Sequence, residues 1–210
     1  MFLNITEFKK FLKAAYKGSG LIVGMLDENL ILTNDSRTWG VQVEGEYIPN
    51  KLKAALVELI GDLPEEGEVL NYTQDGAQTE MDLGDFNFYD MWMRASDYAA
   101  NTPFVLKSDY GEYALMQVHS TMEMRPIRRS FLNIISAKDL DYSVEEMPGR
   151  PSYRNGTLYW KNDTTIYCAG THMLDEFTED TVLPRMNFLD CFEQPAKLRV
   201  AEQLPYDEED

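Results

Sequence analysis

The chain has 210 residues and a formal net charge of −17, with 44% apolar and 12% aromatic residues. That apolar content supplies a packed core and excludes a disordered composition. The charge excludes a protein that is basic throughout, because a uniformly acidic surface repels nucleic acid.

Residues 1–5 read as a short strand. They lack the basic start and long apolar run of a signal peptide. No segment approaches the roughly 20 apolar residues that span a bilayer, so the expected location is the cytoplasm, with no membrane partner. Thr6 reads as the N-cap of a helix running to about Lys17, with Phe8, Phe11, Leu12 and Ala15 on one face. Gly18-Ser19-Gly20 stops it. Strands are predicted over 21–25, 30–33 and 39–44, separated by turns at Asp27-Glu28-Asn29 and Asn34-Asp35-Ser36. Pro49 opens a second helix to about Ile60, with Leu52, Leu56 and Leu59 as its apolar stripe. Gly61 and Pro64 close it. Residues 69–73, 80–88, 104–107 and 113–118 read as strands, with a helical or irregular excursion over 92–100.

The order of elements then repeats. Gly20 through Leu32 is a glycine, an apolar strand, an acidic turn and a second apolar strand. Gly156 through Cys168 has the same order of roles, with Asp163 in the turn. Each copy leads to an apolar-proline step, Ile48-Pro49 or Leu183-Pro184, and a predicted helix. A period this long marks a duplicated domain rather than a solenoid. In the second copy a strand is predicted over 121–125, helices over 126–138 and 184–193, a loop over 142–155 and a last strand over 197–200. The expected units are 1–118 and a shortened 119–205, with an acidic tail over 206–210.

The predicted helices carry ten of the 19 Lys and Arg residues but only four of the 36 acids. Lys9, Lys13 and Lys17 are spaced to share one helix face. A basic helical face in an acidic body attracts phosphates to that face alone, and backbone contacts of this kind read no sequence.

This pattern resembles the DNA sliding clamps, and the bacterial DNA polymerase III beta clamp most of all. The similar stretches are Asn29-Leu30-Ile31-Leu32-Thr33, Val43 through Pro49, Leu63 through Val69, Ile127-Arg128-Arg129-Ser130-Phe131, Arg150-Pro151 to Tyr159, and Thr181 through Arg185. The resemblance implies an α+β fold of duplicated clamp-like units, each with two helices packed on an antiparallel sheet. It implies a non-enzymatic replication factor that tethers to double-stranded DNA without sequence preference and docks a DNA polymerase or another nucleic-acid-binding protein. Lys9, Lys13, Lys17, Lys51, Lys53, Arg128 and Arg129 are the expected DNA-facing set. His172 and Leu174 stand where the family carries a Thr-Asp-Gly-His-Arg-Leu run that grips partner peptides. Two units per chain imply a trimer if a homo-oligomeric ring forms.

A second function stands beside this one: an acidic mimic of DNA or of a clamp, from a phage or mobile element, that inhibits a host nucleic-acid-binding protein. The net charge, the acidic tail and the shortened second unit suit it.

Residues 86–93 are dense in aromatic and Met side chains. Met91 and Trp92 are the partner-binding candidates there, with core packing as the plainer reading. Cofactor, metal and catalytic chemistry are not expected. There is no phosphate loop, no His-Glu-x-x-His and no Gly-x-Ser-x-Gly. Cys168 and His172 lack two further ligands for zinc. Asp82, Asp85 and Asp90 read as turn residues rather than a Mg²⁺ site. Cys168 and Cys191 read as reduced core thiols.

Overall fold

Asn4 caps the first helix, accepting from the backbone N–H groups of Thr6 and Glu7. The cap therefore lies two residues ahead of the one expected at Thr6, and the helix α1 spans Ile5–Lys17. Ile5, Phe8, Leu12 and Ala15 are buried along one side of it. The computed structural model describes residues 1–82, 86–109 and 111–192. The predicted strand at 197–200, the acidic tail and Asp85 lie outside the described residues.

Among the described residues eleven strands follow in one sheet: β1 Leu21–Leu26, β2 Asn29–Asn34, β3 Trp39–Glu44, β4 Glu68–Tyr72, β5 Gln78–Glu80, β6 Asp97–Ser108, β7 Gly111–Val118, β8 Met124–Arg128, β9 Ser152–Arg154, β10 Thr157–Lys161 and β11 Thr165–Gly170. Their order is β5-β4-β1-β2-β3-β11-β10-β9-β6-β7-β8, and neighbours run antiparallel. The predicted boundary at 118/119 falls in the turn between β7 and β8, and the sheet continues through both expected units. The joint is β3 on β11, paired from Val43↔Thr165 to Trp39↔Ala169. The two expected repeat hairpins, β1–β2 and β10–β11, both exist. They flank one strand, since β2 and β11 both pair with β3, from its two sides.

Helix α2, Asn50–Ile60, begins after Pro49 and ends at Gly61, whose φ of 85° suits glycine. It packs beside α1 on one face of the sheet. Leu21, Val23, Leu30, Leu32, Trp39, Val41, Val43, Leu158, Trp160 and Tyr167 form the core there with Leu52 and Leu56. The alternate residues Ile22, Ile31, Val69, Tyr159, Ile166 and Cys168 point to the other face. That face is covered by Phe86, Phe88 and the short helix α3, Phe88–Met93. A side chain at Gly40 would collide with the Phe88 ring. The strand expected over 80–88 thus stops at Glu80, because Phe86 and Phe88 dock across the sheet instead of extending it.

The second half departs most from expectation. The helix predicted over 126–138 is strand β8 followed by one turn, α4 Arg129–Asn133. Met124 through Arg128 pair with β7, and Met124, Pro126 and Ile127 are buried in doing so. The chain cannot stay helical beyond α4, since Ile135 bridges Leu3 and Ser136 N–H donates to Phe2 O. Of the helix predicted over 184–193, the described residues form only a 3-10 turn, Pro184–Met186, which a π turn at Thr178–Val182 precedes. Residues 187–191 are drawn off the helical path by polar contacts. Met124 N–H donates to Asn187 Oδ1, and Cys191 N–H donates to Gln117 Oε1. The expectation of two helices per unit therefore fails for the second half. No helix among the described residues is long and apolar enough to cross a membrane.

Buried polar contacts join the halves. Asp139 accepts from Ile5 N–H at the start of α1 (3.0 Å) and from Lys51 Nζ on α2 (2.7 Å). Glu145 accepts from Thr164 Oγ1, Asp141 N–H and the Met1 ammonium. Burial opposes ionisation of Asp139, but the Lys51 and Ile5 hydrogen bonds outweigh it and hold the carboxyl below its ordinary value. A lowered native pKa stabilises above the unfolded pKa and loses that effect as pH falls through the native one. Asp139→Asn should cost about 2 kcal/mol near neutral pH in urea unfolding. The difference from the parent should shrink as pH drops below about 4.

Candidate nucleic-acid interface

The cationic residues sit on elements whose apolar sides are fixed by the sheet. Burial of Phe8, Leu12 and Ala15 leaves Lys10, Lys13 and Lys17 exposed and Lys9 half-buried on α1. Lys17 occupies the last turn, where a cation complements the helix dipole. Burial of Leu52 and Leu56 leaves Lys51 exposed and Lys53 half-buried on α2. Lys13 reaches Glu58 across the two helices, 3.4 Å away.

Acids on the same side neutralise part of this charge. Lys10 pairs with Glu7 (2.6 Å), Lys51 with Asp139 (2.7 Å), and Arg129 with Glu112 (2.9 Å). Hydrogen bonds from Lys107 and Arg129 hold the Glu112 carboxyl below its usual range. Of the expected DNA-facing set, Lys9, Lys17, Lys53 and Arg128 make no ion pair among the described residues.

Arg128 is the point of convergence. It ends β8 in extended backbone and precedes α4, rather than riding on a helix as expected. A groove of about 540 Å³ runs between α1 and this junction. Its floor holds Phe11, Ala15, Trp39 and Phe131, and its rim holds Lys10, Ser19, Ser130, Asn133 and Arg128. Phe11 packs 6.1 Å from Trp39 and 5.6 Å from Phe131, ring centre to ring centre. Arg128 also borders a cavity of about 350 Å³ with Ser36, Thr38, Thr171 and His172. It borders a third of about 310 Å³ with Arg129, Ser130 and Asn133. Hydroxyl and amide groups around an unpaired guanidinium can hold a phosphate by charge-assisted hydrogen bonds.

The expected partner-binding residues split into two places. His172 donates its backbone N–H to Pro126 O (2.7 Å) and stacks on Tyr113, with ring centres 5.1 Å apart. Leu174 is half-buried, its N–H held by Glu179 Oε1. Met91 and Trp92 lie on the opposite face of the sheet, half-buried on α3, with Lys161 Nζ 5.2 Å from the Trp92 ring centre. Segment 86–93 is therefore mixed: Phe86 and Phe88 are core, while Tyr89 and Met93 are exposed.

Ser130 and Asn133 beside Arg128 were not singled out from the sequence. The Arg128-Arg129-Ser130 run was the available signal, but it read as helix surface. Burial pushes the Cys168 thiol up to about 12, which makes it a core thiol rather than a nucleophile. Among the described residues, no group of three or more His, Cys, Asp or Glu could hold a metal ion.

No protein-family model and no curated protein sequence matches this chain. Among solved structures, it is similar to the beta subunit of DNA polymerase from Streptococcus pyogenes, with 9% identity and a TM-score of 0.30 over 85% of this chain. It is also similar to the DNA polymerase III beta subunit of Thermotoga maritima, with 12% identity and a TM-score of 0.31 over 84% of this chain. A third is the DNA polymerase III beta sliding clamp of Bartonella birtlesii, with 6% identity and a TM-score of 0.24 over 84% of this chain. The chain spans 66% of the length of each. These TM-scores assign no residue a role, so roles must come from this chain's own chemistry.

Arg128 is exposed and its side chain has no polar partner among the described residues. Arg128→Ala should therefore change urea-unfolding stability by no more than about 0.5 kcal/mol. A larger loss would make Arg128 a folding residue instead of a binding one.

Proposed function

We propose that this chain is a non-enzymatic, clamp-type DNA-tethering factor that holds the phosphate backbone of duplex DNA along α1 and at Arg128. One observation carries the reading: in a chain of net charge −17, the unpaired cations Lys9, Lys17, Lys53 and Arg128 lie on the helices and at the groove beside α1. Phosphates are drawn to that surface and repelled elsewhere. Contacts limited to phosphates bind any duplex sequence.

The sheet edge bears on how such a factor assembles. At β8 the outward Met124 N–H is taken by Asn187, Pro126 has no N–H, and its carbonyl is taken by His172. These blocks disfavour extension of the sheet by a second copy there. In this reading the trimeric ring implied by the resemblance would join its chains elsewhere than at β8.

Fluorescence anisotropy with two unrelated short duplexes over a salt series tests the reading. The parent should bind both alike. Replacing Lys9, Lys17 and Arg128 together with Ala should weaken binding and reduce the slope of log K against log salt by about 3, near 0.9 per lost phosphate contact. An unchanged slope would remove these residues from the interface. A parent that ignores DNA at low salt but binds a basic nucleic-acid-binding protein would replace tethering with mimicry.

A further inference from the structure

The face of the sheet opposite α1 and α2 holds a cavity of about 550 Å³. Ile31, Ile166 and Phe86 form its floor, with Leu26 beside them and Tyr89 of α3 on one wall. Carboxylates arrive at its mouth from separate places in the chain: Asp27 in the β1–β2 turn, Glu44 at the end of β3, Glu66 before β4 and Asp163 in the β10–β11 turn. None of these four makes an ion pair among the described residues. Lys161 is the cation in the lining, and its ammonium is engaged by the Trp92 ring and by Asn162 O, 2.8 Å away.

An apolar floor inside an acidic rim excludes most ligands. An anion is repelled. A bare metal ion finds no cluster of ligands among the described residues. A polyamine satisfies the rim but leaves the floor without a bulky apolar group. A peptide with an apolar side chain between arginines or lysines satisfies both, with the side chain on Ile31 and Ile166 and its cations toward Asp27, Glu44 and Asp163. The volume suits one large side chain and its flanking backbone.

We infer that this cavity is a docking site for a basic, apolar-centred peptide segment of a protein partner. It lies across the sheet from the cationic helices and does not depend on the DNA reading. A partner can occupy it while the helix face is engaged.

The test is anisotropy of a short fluorescein-labelled peptide alternating arginine with leucine, titrated with the whole chain. The peptide should bind, and Glu44→Gln with Asp163→Asn should weaken it about tenfold or more. Both carboxylates are exposed, so thermal unfolding of that variant should match the parent. Tyr89→Ser, on the opposite wall, should weaken binding as well. The Lys9, Lys17 and Arg128 alanine variant should bind the peptide like the parent, which separates this site from the DNA surface. A peptide alternating arginine with serine should bind far more weakly, and spermine should compete poorly. Equal binding of the arginine–serine peptide, competition by spermine at peptide-like concentrations, or indifference to the Glu44 and Asp163 changes would each overturn the inference.

Discussion

The pairing of β3 with β11 is the constraint on which both surfaces depend. It is the ladder that carries the sheet from β1–β5 into the strands of the second half. At one end, Gly170 N–H donates to Thr38 O (2.9 Å), which brings Thr38 and Trp39 beside Thr171, His172 and Arg128. At the other, Glu44 N–H donates to Thr164 O (3.0 Å), which brings Glu44 beside Asp163 and the β1–β2 turn. A one-residue slip would turn Tyr167 and Ala169 out of the helix-side core and expose Cys168 to it. The ladder thus sets the register of the core, the groove at Arg128 and the acidic cavity together.

Local order was legible wherever one face of an element is buried. Phe8, Leu12 and Ala15 announce α1, and Pro49 with Gly61 brackets α2. The first hairpin follows from its acidic turn, where Asp27 and Glu28 both take positive φ. Contacts between distant segments were not legible. Residues 124–128 have apolar content that fits either a helix or an edge strand, and pairing with β7 decides it. Lys51 reads as a free surface cation until Asp139, 88 residues away, closes on it. The aromatic density of 86–93 was visible, but not that two of its rings fill the sheet face while Tyr89 walls a cavity.

The charge distribution differs between the two faces. Acids near the helices pair with Lys10, Lys13, Lys51 and Arg129 and leave Lys9, Lys17, Lys53 and Arg128 without an ion pair among the described residues. Surface pairs of this kind contribute little to stability, so in the proposed function they would exchange partners as phosphate approaches. Across the sheet, carboxylates surround an apolar floor, and Lys161, the cation in that lining, is engaged by the Trp92 ring and Asn162 O. A body of net charge −17 with one cationic face would orient on DNA and still present an acidic site to basic partners.

Lysine acetylation footprinting, quantified by mass spectrometry with and without duplex DNA, tests the central claim most directly. Lys9, Lys17 and Lys53 should lose reactivity in the complex, while Lys161 on the opposite face and Lys107 on β6 should keep theirs. Equal reactivity of Lys9, Lys17 and Lys53 in the free and DNA-bound chain, or protection centred on Lys161, would contradict the assignment of the helix face to DNA.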